Sequence, residues 1–123
     1  MDVELPHFCV YWPPNGTTDK FGRVVFSPPQ ELPCRWEDSA ETFLNDAGEQ
    51  ETAAAKVFFD GENRPEFLGV LKRGTLGDLQ SLESPFKNKR AWEVRKVSDA
   101  AVLDDSYTLV VAWVGAQRGS NKV

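Results

Sequence analysis

The sequence predicts an all-β fold: a small β-barrel or β-sandwich with a long projecting hairpin and a long N-terminal loop. Three stretches predict it. From Tyr107 to Val114, residues Tyr107, Leu109, Val111 and Trp113 alternate with Val110, Ala112 and Val114. That is the period-two pattern of a strand, and being apolar on both faces it belongs at a central or covered position. From Pro33 to Asp60, two long arms flank Asp46-Ala47-Gly48, which reads as one hairpin with a three-residue loop closed by Asn45 and Glu49 and with Gly48 at positive φ. Between Pro13 and Pro29 the chain carries Asn15-Gly16, Gly22 and Pro28-Pro29, a turn-rich composition that interrupts any long regular element.

Taken in order, Met1 to Leu5 is a short acidic lead, and His7 to Trp12 is apolar and aromatic enough for a first strand, stopped by Pro13 and Pro14. The loop 13–29 is long for a small domain, and a loop of that length is usually functional or disordered. Trp12, Phe21, Val24 and Phe26 make it a candidate docking loop, with a covered core flap as the plainer reading.

The hairpin follows. Its loop sets a register in which Trp36 stands opposite Phe58 and Asp38 opposite Lys56, an aromatic pair and an ion pair on one face. Cys34, Trp36, Val57, Phe58 and Phe59 at its base can enter a core, whereas Glu41, Thr42, Thr52 and Ala53 to Ala55 toward the tip cannot, so the tip is expected to project. A helix over 48–56 is the alternative, because that stretch is rich in helix formers. Asp60 to Arg64 is a turn, and Pro65 to Arg73 a short strand or a single helical turn. Leu76-Gly77-Asp78-Leu79 is a bend leading into a short strand that ends at Leu82. Arg90 to Val97 is a strand with Trp92, Val94 and Lys96 on one face and Ala91, Glu93, Arg95 and Val97 on the other. Asp99 to Asp105 is expected to be a linker or a brief helical turn, and 115–123 a flexible tail.

At 123 residues with a net charge of −5, the chain is long enough for one domain with a real core, and its charge disfavours a protein devoted to gripping a phosphate backbone. Charge is unevenly placed. Glu37 to Glu51 holds six carboxylates and no basic residue, whereas Phe86 to Lys96 holds Lys87, Lys89, Arg90, Arg95 and Lys96 against Glu93 alone. Two solvated surfaces are the plain reading; the sharper one is opposite-sign patches that meet between identical subunits, with Asp38 and Glu41 facing Lys89, Arg90 and Arg95 of a neighbour.

No catalytic constellation is expected, nor a cofactor. His7, Cys9 and Cys34 could offer three metal ligands, but structural zinc sites use close pairs such as Cys-x-x-Cys, so no metal is expected and both cysteines are read as reduced and buried. A Cys-His nucleophile would need the same residues. Gly69, Gly74 and Gly77 lack the Gly-Lys-Ser/Thr ending of a phosphate loop, and the acidic run lacks the spacing of an EF-hand. The polar start of the chain suggests no signal peptide, and no apolar run approaches the length of a membrane span.

Five segments together carry a resemblance: Tyr11-Trp12-Pro13-Pro14-Asn15-Gly16, Asp19 to Phe26, Cys34-Arg35-Trp36-Glu37-Asp38, Phe43 to Glu49 (FLNDAGE) and Ala54 to Phe59. They resemble a tailed-phage head-tail connector of the stopper, or head-completion, type. In that family an aromatic-Trp-x-Pro opener precedes a Gly-rich segment, a strand with Arg-Trp-Glu-Asp, an Asp-x-x-Gly turn and a returning strand. Residues 9 to 60 are covered well. Segment 61–75 fits poorly, and alanines with Phe58-Phe59 replace the family's valines and tyrosines, which leaves open whether the ring is a stopper or a neighbouring adaptor.

The resemblance implies a virion neck protein, assembled in the host cytoplasm, that forms a β-barrel ring, a homo-hexamer in the family. Such a ring sits between the portal or adaptor protein on the head side and the tail terminator or tail tube on the other. It retains packaged DNA and lets it pass at ejection without sequence-specific binding; no enzyme activity and no membrane partner are implied. The alternative is a stand-alone cytosolic small-barrel module that uses the 13–29 loop to bind a peptide or small ligand.

Overall fold

The computed structural model describes residues 5–45, 47–82, 84–104 and 107–115. Alternating apolar residues pair six strands into a closed barrel: β1 (His7–Trp12), β4 (Gln30–Asp38), β7 (Ala55–Asp60), β8 (Val70–Arg73), β9 (Trp92–Asp104) and β10 (Tyr107–Gly115). Around the barrel the order is β1-β4-β7-β10-β9-β8, β8 closes onto β1, and every pairing is antiparallel. The fold is therefore all-β and a barrel rather than a sandwich. Two small hairpins lie outside it, β2 (Pro14–Thr18) with β3 (Val24–Phe26), and β5 (Thr42–Leu44) with β6 (Gln50–Thr52).

Every second residue of the strands points inward and fills the interior: Cys9 and Tyr11 from β1, Cys34 and Trp36 from β4, Val57 and Phe59 from β7, Leu71 from β8, Val94 from β9, and Ala112 and Val114 from β10. The interior of a barrel this narrow is core, with no room for a ligand. A second cluster lies on the outer face of β1 and β8, where Val10, Trp12 and Val70 are fully buried beneath Phe26, Leu79, Phe86 and Ala91. The Trp12 indole finds its partner there, donating to the Leu82 carbonyl at 2.8 Å.

Apart from Phe26, the cover over this second core is the connection from Gly74 to Ala91, which has no strand among the described residues. The short strand expected before Leu82 is absent, and two 3-10 turns, Leu76–Asp78 and Pro85–Lys87, stand in the region instead. Asn88, 3% exposed, holds the connection together. Its side-chain oxygen accepts from the amides of Gln80 (2.6 Å) and Ser81 (3.0 Å), while its amide donates to the carbonyls of Ser81 (2.8 Å) and Pro85 (3.1 Å). Buried polar groups are paired in this way because leaving them unpaired is costly.

The hairpin of residues 33–60 forms, without a helix over 48–56, but its register is only half as expected. At the tip, Asn45 and Glu49 close the loop through an amide-to-carbonyl bond of 2.9 Å, Gly48 has φ of 81°, and Phe43 stands opposite Glu51; Asp46 lies outside the described residues. Toward the base the pairing slips by one. Arg35 faces Phe58, Trp36 faces Val57, Glu37 faces Lys56 and Asp38 faces Ala55. The slip occurs where the Ser39 amide bonds the Ala54 carbonyl while the Ala53 amide bonds the Glu41 carbonyl, so that three residues, 39 to 41, oppose two. This β-bulge shifts β7 by one residue against β4, so that Val57 rather than Phe58 shares the inner face with Trp36. Trp36 enters the core, Phe58 turns outward, and Lys56 pairs with Glu41 at 2.9 Å instead of with Asp38.

The outer half of the hairpin does not stand free of the domain. Phe43 is buried and stacks on Trp113 with ring centroids 5.7 Å apart, and Lys96 donates to the Leu44 carbonyl at 2.7 Å. Strand β9 also differs from expectation, continuing through Asp104 where a linker was expected; Asp105 lies outside the described residues. It has thirteen residues against the nine of β10; Trp92 pairs only with β8, and the other three residues of excess are absorbed at three register shifts. One of them passes Arg95, since Val94 pairs with Val114 and Lys96 with Trp113. Val97 thereby joins Trp92 and Val94 against the core, where strict alternation placed it on the opposite face.

Candidate functional site

Of the four residues expected to form a docking loop, the structure separates Trp12 from the other three. Trp12 is fully buried in the second core and presents no surface. It ends β1, and the connection from β8 covers it, a long-range packing partner that a local reading of the loop does not contain. The segment after it is a hairpin, β2 paired with β3. Its turn is built by Asp19, whose carboxylate accepts from the amides of Phe21 (2.8 Å) and Arg23 (3.0 Å) and from Arg23 Nε (3.1 Å). Gly22, at φ of 78°, takes the left-handed position. The Arg23 amide first, and then the other donors, hold the Asp19 carboxyl below its ordinary range. Phe21 stands at this turn 69% exposed, with the cationic groups of Lys20 and Arg23 over its ring at 5.2 and 4.9 Å. Val24, beside the turn, and Phe26, at the root, are half-buried and line an open groove of about 520 Å³ with Phe86 and Lys87.

The residues expected at an interface are also divided. Asp38 and Glu41 are exposed on the hairpin, Asp38 accepting from the Trp36 indole at 3.2 Å. Lys89 and Arg90 are exposed just before β9, and Arg90 lines one recess together with Asp38 of the same chain. Arg95 is 4% exposed: its guanidinium donates to both oxygens of Glu51 at 2.8 and 3.0 Å and to Glu93 at 2.5 Å. The acidic hairpin and the basic strand thus do meet, within one chain, where Arg95 fastens the hairpin tip to β9. Glu51 first, and then Glu93, raise the Arg95 pKa and keep it charged.

Two recesses at the ends of the barrel were not singled out by sequence reading. One, of about 470 Å³, is lined by Trp36, Asp38, Lys72, Arg73, Arg90 and Trp92. The other, of about 430 Å³, is lined by Asp60, Glu62, Arg64, Asp99 and Thr108. The residues named for the first come from three separate segments of chain; sequence reading named Asp38 and Arg90 as interface residues on different copies, and nothing local showed that the fold brings them together with Lys72 and Arg73.

Chemical candidates remain structural. Cys9 and Cys34 are buried and free. The hydrogen bond with Cys34 first, and burial second, push the Cys9 thiol well above its ordinary range, so it is a poor nucleophile. His7 uses Nδ1 to accept from the Trp36 amide at 3.0 Å. Among the described residues no three His, Cys, Asp or Glu side chains gather as metal ligands, and no helix is long and apolar enough to cross a membrane. Comparison with protein-family models, with curated proteins and with solved structures finds no match.

Proposed function

We propose that the chain is a structural ring component of a tailed-phage neck, seated between the portal or adaptor and the tail, and not an enzyme. The observation that carries this reading is the β2–β3 arm. A filled barrel offers no internal ligand site, while a preformed hairpin outside it exposes a large aromatic residue, Phe21, with two cations over its ring. An exposed aromatic on a rigid support is the usual anchor of a protein–protein contact.

The resemblance to stopper-type connectors agrees with this layout. Its aromatic-Trp-Pro-Pro segment marks the exit of β1 into the arm, and its Arg-Trp-Glu-Asp segment is the end of β4. Arm and barrel give the chain separate surfaces for docking onto the rings above and below and for contacts around its own ring.

The test is native mass spectrometry and negative-stain microscopy of the purified chain, alone and mixed with the connector proteins encoded beside it. Closed rings that bind a neighbouring connector and lose that binding on Phe21→Ser are the expected result. A chain that stays monomeric at every concentration and in every mixture would sink the proposal.

A further inference from the structure

We infer that copies of this chain associate head to tail, the cationic recess at one end of the barrel receiving the acidic end of a second copy. This deepens the ring reading above and rests on it for the closed form of the assembly, though not for the contact itself.

The two recesses lie at opposite barrel ends because the strands connect them. Strand β7 starts at Ala55, paired with Asp38 beside the cationic recess, and ends at Asp60, paired with Leu109 in the acidic one. Strand β9 makes the same passage from Trp92 to Asp99. Six residues of strand place the two ends roughly 17 Å apart.

Their charges are opposite. At the first end Lys72, Arg73 and Arg90 stand against one carboxylate, Asp38, and at the second Asp60, Glu62 and Asp99 stand against one guanidinium, Arg64. Within the chain these groups are unevenly neutralised. Asp99 pairs with Arg64 at 2.6 Å, and the Asp78 carboxyl, held low first by the Thr75 amide and hydroxyl, has Lys72 near enough to add to that. Among the described residues neither Arg73 nor Arg90 makes an ion pair, although both are exposed.

Arg90 is, moreover, held at φ of 59°, a left-handed backbone that non-glycine residues rarely adopt and that persists where surrounding structure imposes it. In a chain of net charge −5, two exposed guanidinium groups beside Trp92, in no ion pair among the described residues and outnumbering the Asp38 carboxylate of their recess, mark a surface whose complement is anionic. The chain carries that complement at its other end. Contact between two different patches is heterologous, so it propagates, and it closes into a ring or runs on as a filament according to the rotation at each contact.

The experiment uses two full-length variants, Arg73→Glu with Arg90→Glu, and Glu62→Lys with Asp99→Lys. Sedimentation velocity at low and at high salt reads the assembly. The expected result is wild-type association that weakens with salt, a loss of about tenfold or more in association for each variant alone, and restored assembly in the equimolar mixture, where every contact again joins opposite charges. Wild-type association indifferent to salt would overturn the inference even if a variant failed to fold. So would variants that assemble as the wild type does, or a mixture that does no better than its parts. If the wild type forms open chains that close into rings under no condition, the contact stands and the ring reading fails. If it forms rings that ignore both reversals, the ring reading stands and this contact fails. A wild type that stays monomeric and instead captures single-stranded oligonucleotide at Arg73 and Arg90 would also overturn it.

Discussion

Gly69 shows how closely the backbone approaches the first strand. A Cβ added there would lie 2.6 Å from the Tyr11 ring, 3.1 Å from the Glu66 carbonyl and 3.3 Å from the Trp12 carbonyl. The Tyr11 hydroxyl accepts from the Glu66 amide at 2.8 Å, so the ring cannot swing aside without breaking that bond. Gly69→Ala is expected to cost about 1–3 kcal/mol, read as a lower urea midpoint with unchanged slope; a midpoint equal to that of the wild type would show that the ring gives way. Sequence reading weighed Gly69 as one of three glycines that fail to make a phosphate loop. The demand for a missing side chain comes from Tyr11, far away in the chain, and no local pattern carries it. Trp12 teaches the same lesson in reverse. Its place beside Pro13-Pro14 suggested exposure, and the partner that buries it arrives some seventy residues later.

At the scale of elements, strands were legible wherever their own side chains decided the matter. His7–Trp12 lies where its apolar and aromatic content put it, and β10 where its alternation put it. The hairpin loop followed from Asn45 and Gly48, but the register at the base did not, because the one-residue bulge at 39–41 depends on how Phe43 and Glu51 settle on β9 and β10. Arg95 is the centre of that settlement. Arg95→Ala leaves the carboxylates of Glu51 and Glu93 in place without their guanidinium, and is expected to destabilise by about 3 kcal/mol. Denaturant melts would register it, and amides of 42–52 should lose protection from hydrogen exchange before the barrel does. Protection lost uniformly would argue against a separately fastened tip.

The turn of the β2–β3 arm responds to pH. Folding lowers the Asp19 carboxyl, so its bonds to Phe21 and Arg23 stabilise the turn above the ordinary aspartate range, near about 3.9, and are lost as pH falls through the depressed folded value. Backbone amide shifts of Phe21 and Arg23 followed down the acid range should titrate together at that lower pH. Titration at the ordinary aspartate value would mean the turn is open in solution.

For the whole molecule, stability and exposure separate cleanly. The barrel and the cluster over β1 bury most of the large side chains, whereas Phe21 lies outside both and, at 69%, is more exposed than Phe8, Leu44, Phe67 or Leu82. Phe21→Ser is therefore expected to leave the unfolding free energy within about 0.5 kcal/mol of wild type, by calorimetry or denaturant melt. A larger loss would place Phe21 in the fold and remove it as a docking anchor. The class of the fold was readable from the alternation and the turns, but closure was not, since it depends on the four-residue strand β8 joining β1 to β9.

The filled interior has one more consequence. Side chains from all six strands occupy the axis of the barrel, and no polymer can be threaded along it. Any conduit through an assembly of such units must run between copies, bounded by their outer walls. Its bore is then set by how many units complete the circle, and a change in the angle between neighbours would widen or shut it with every barrel left intact.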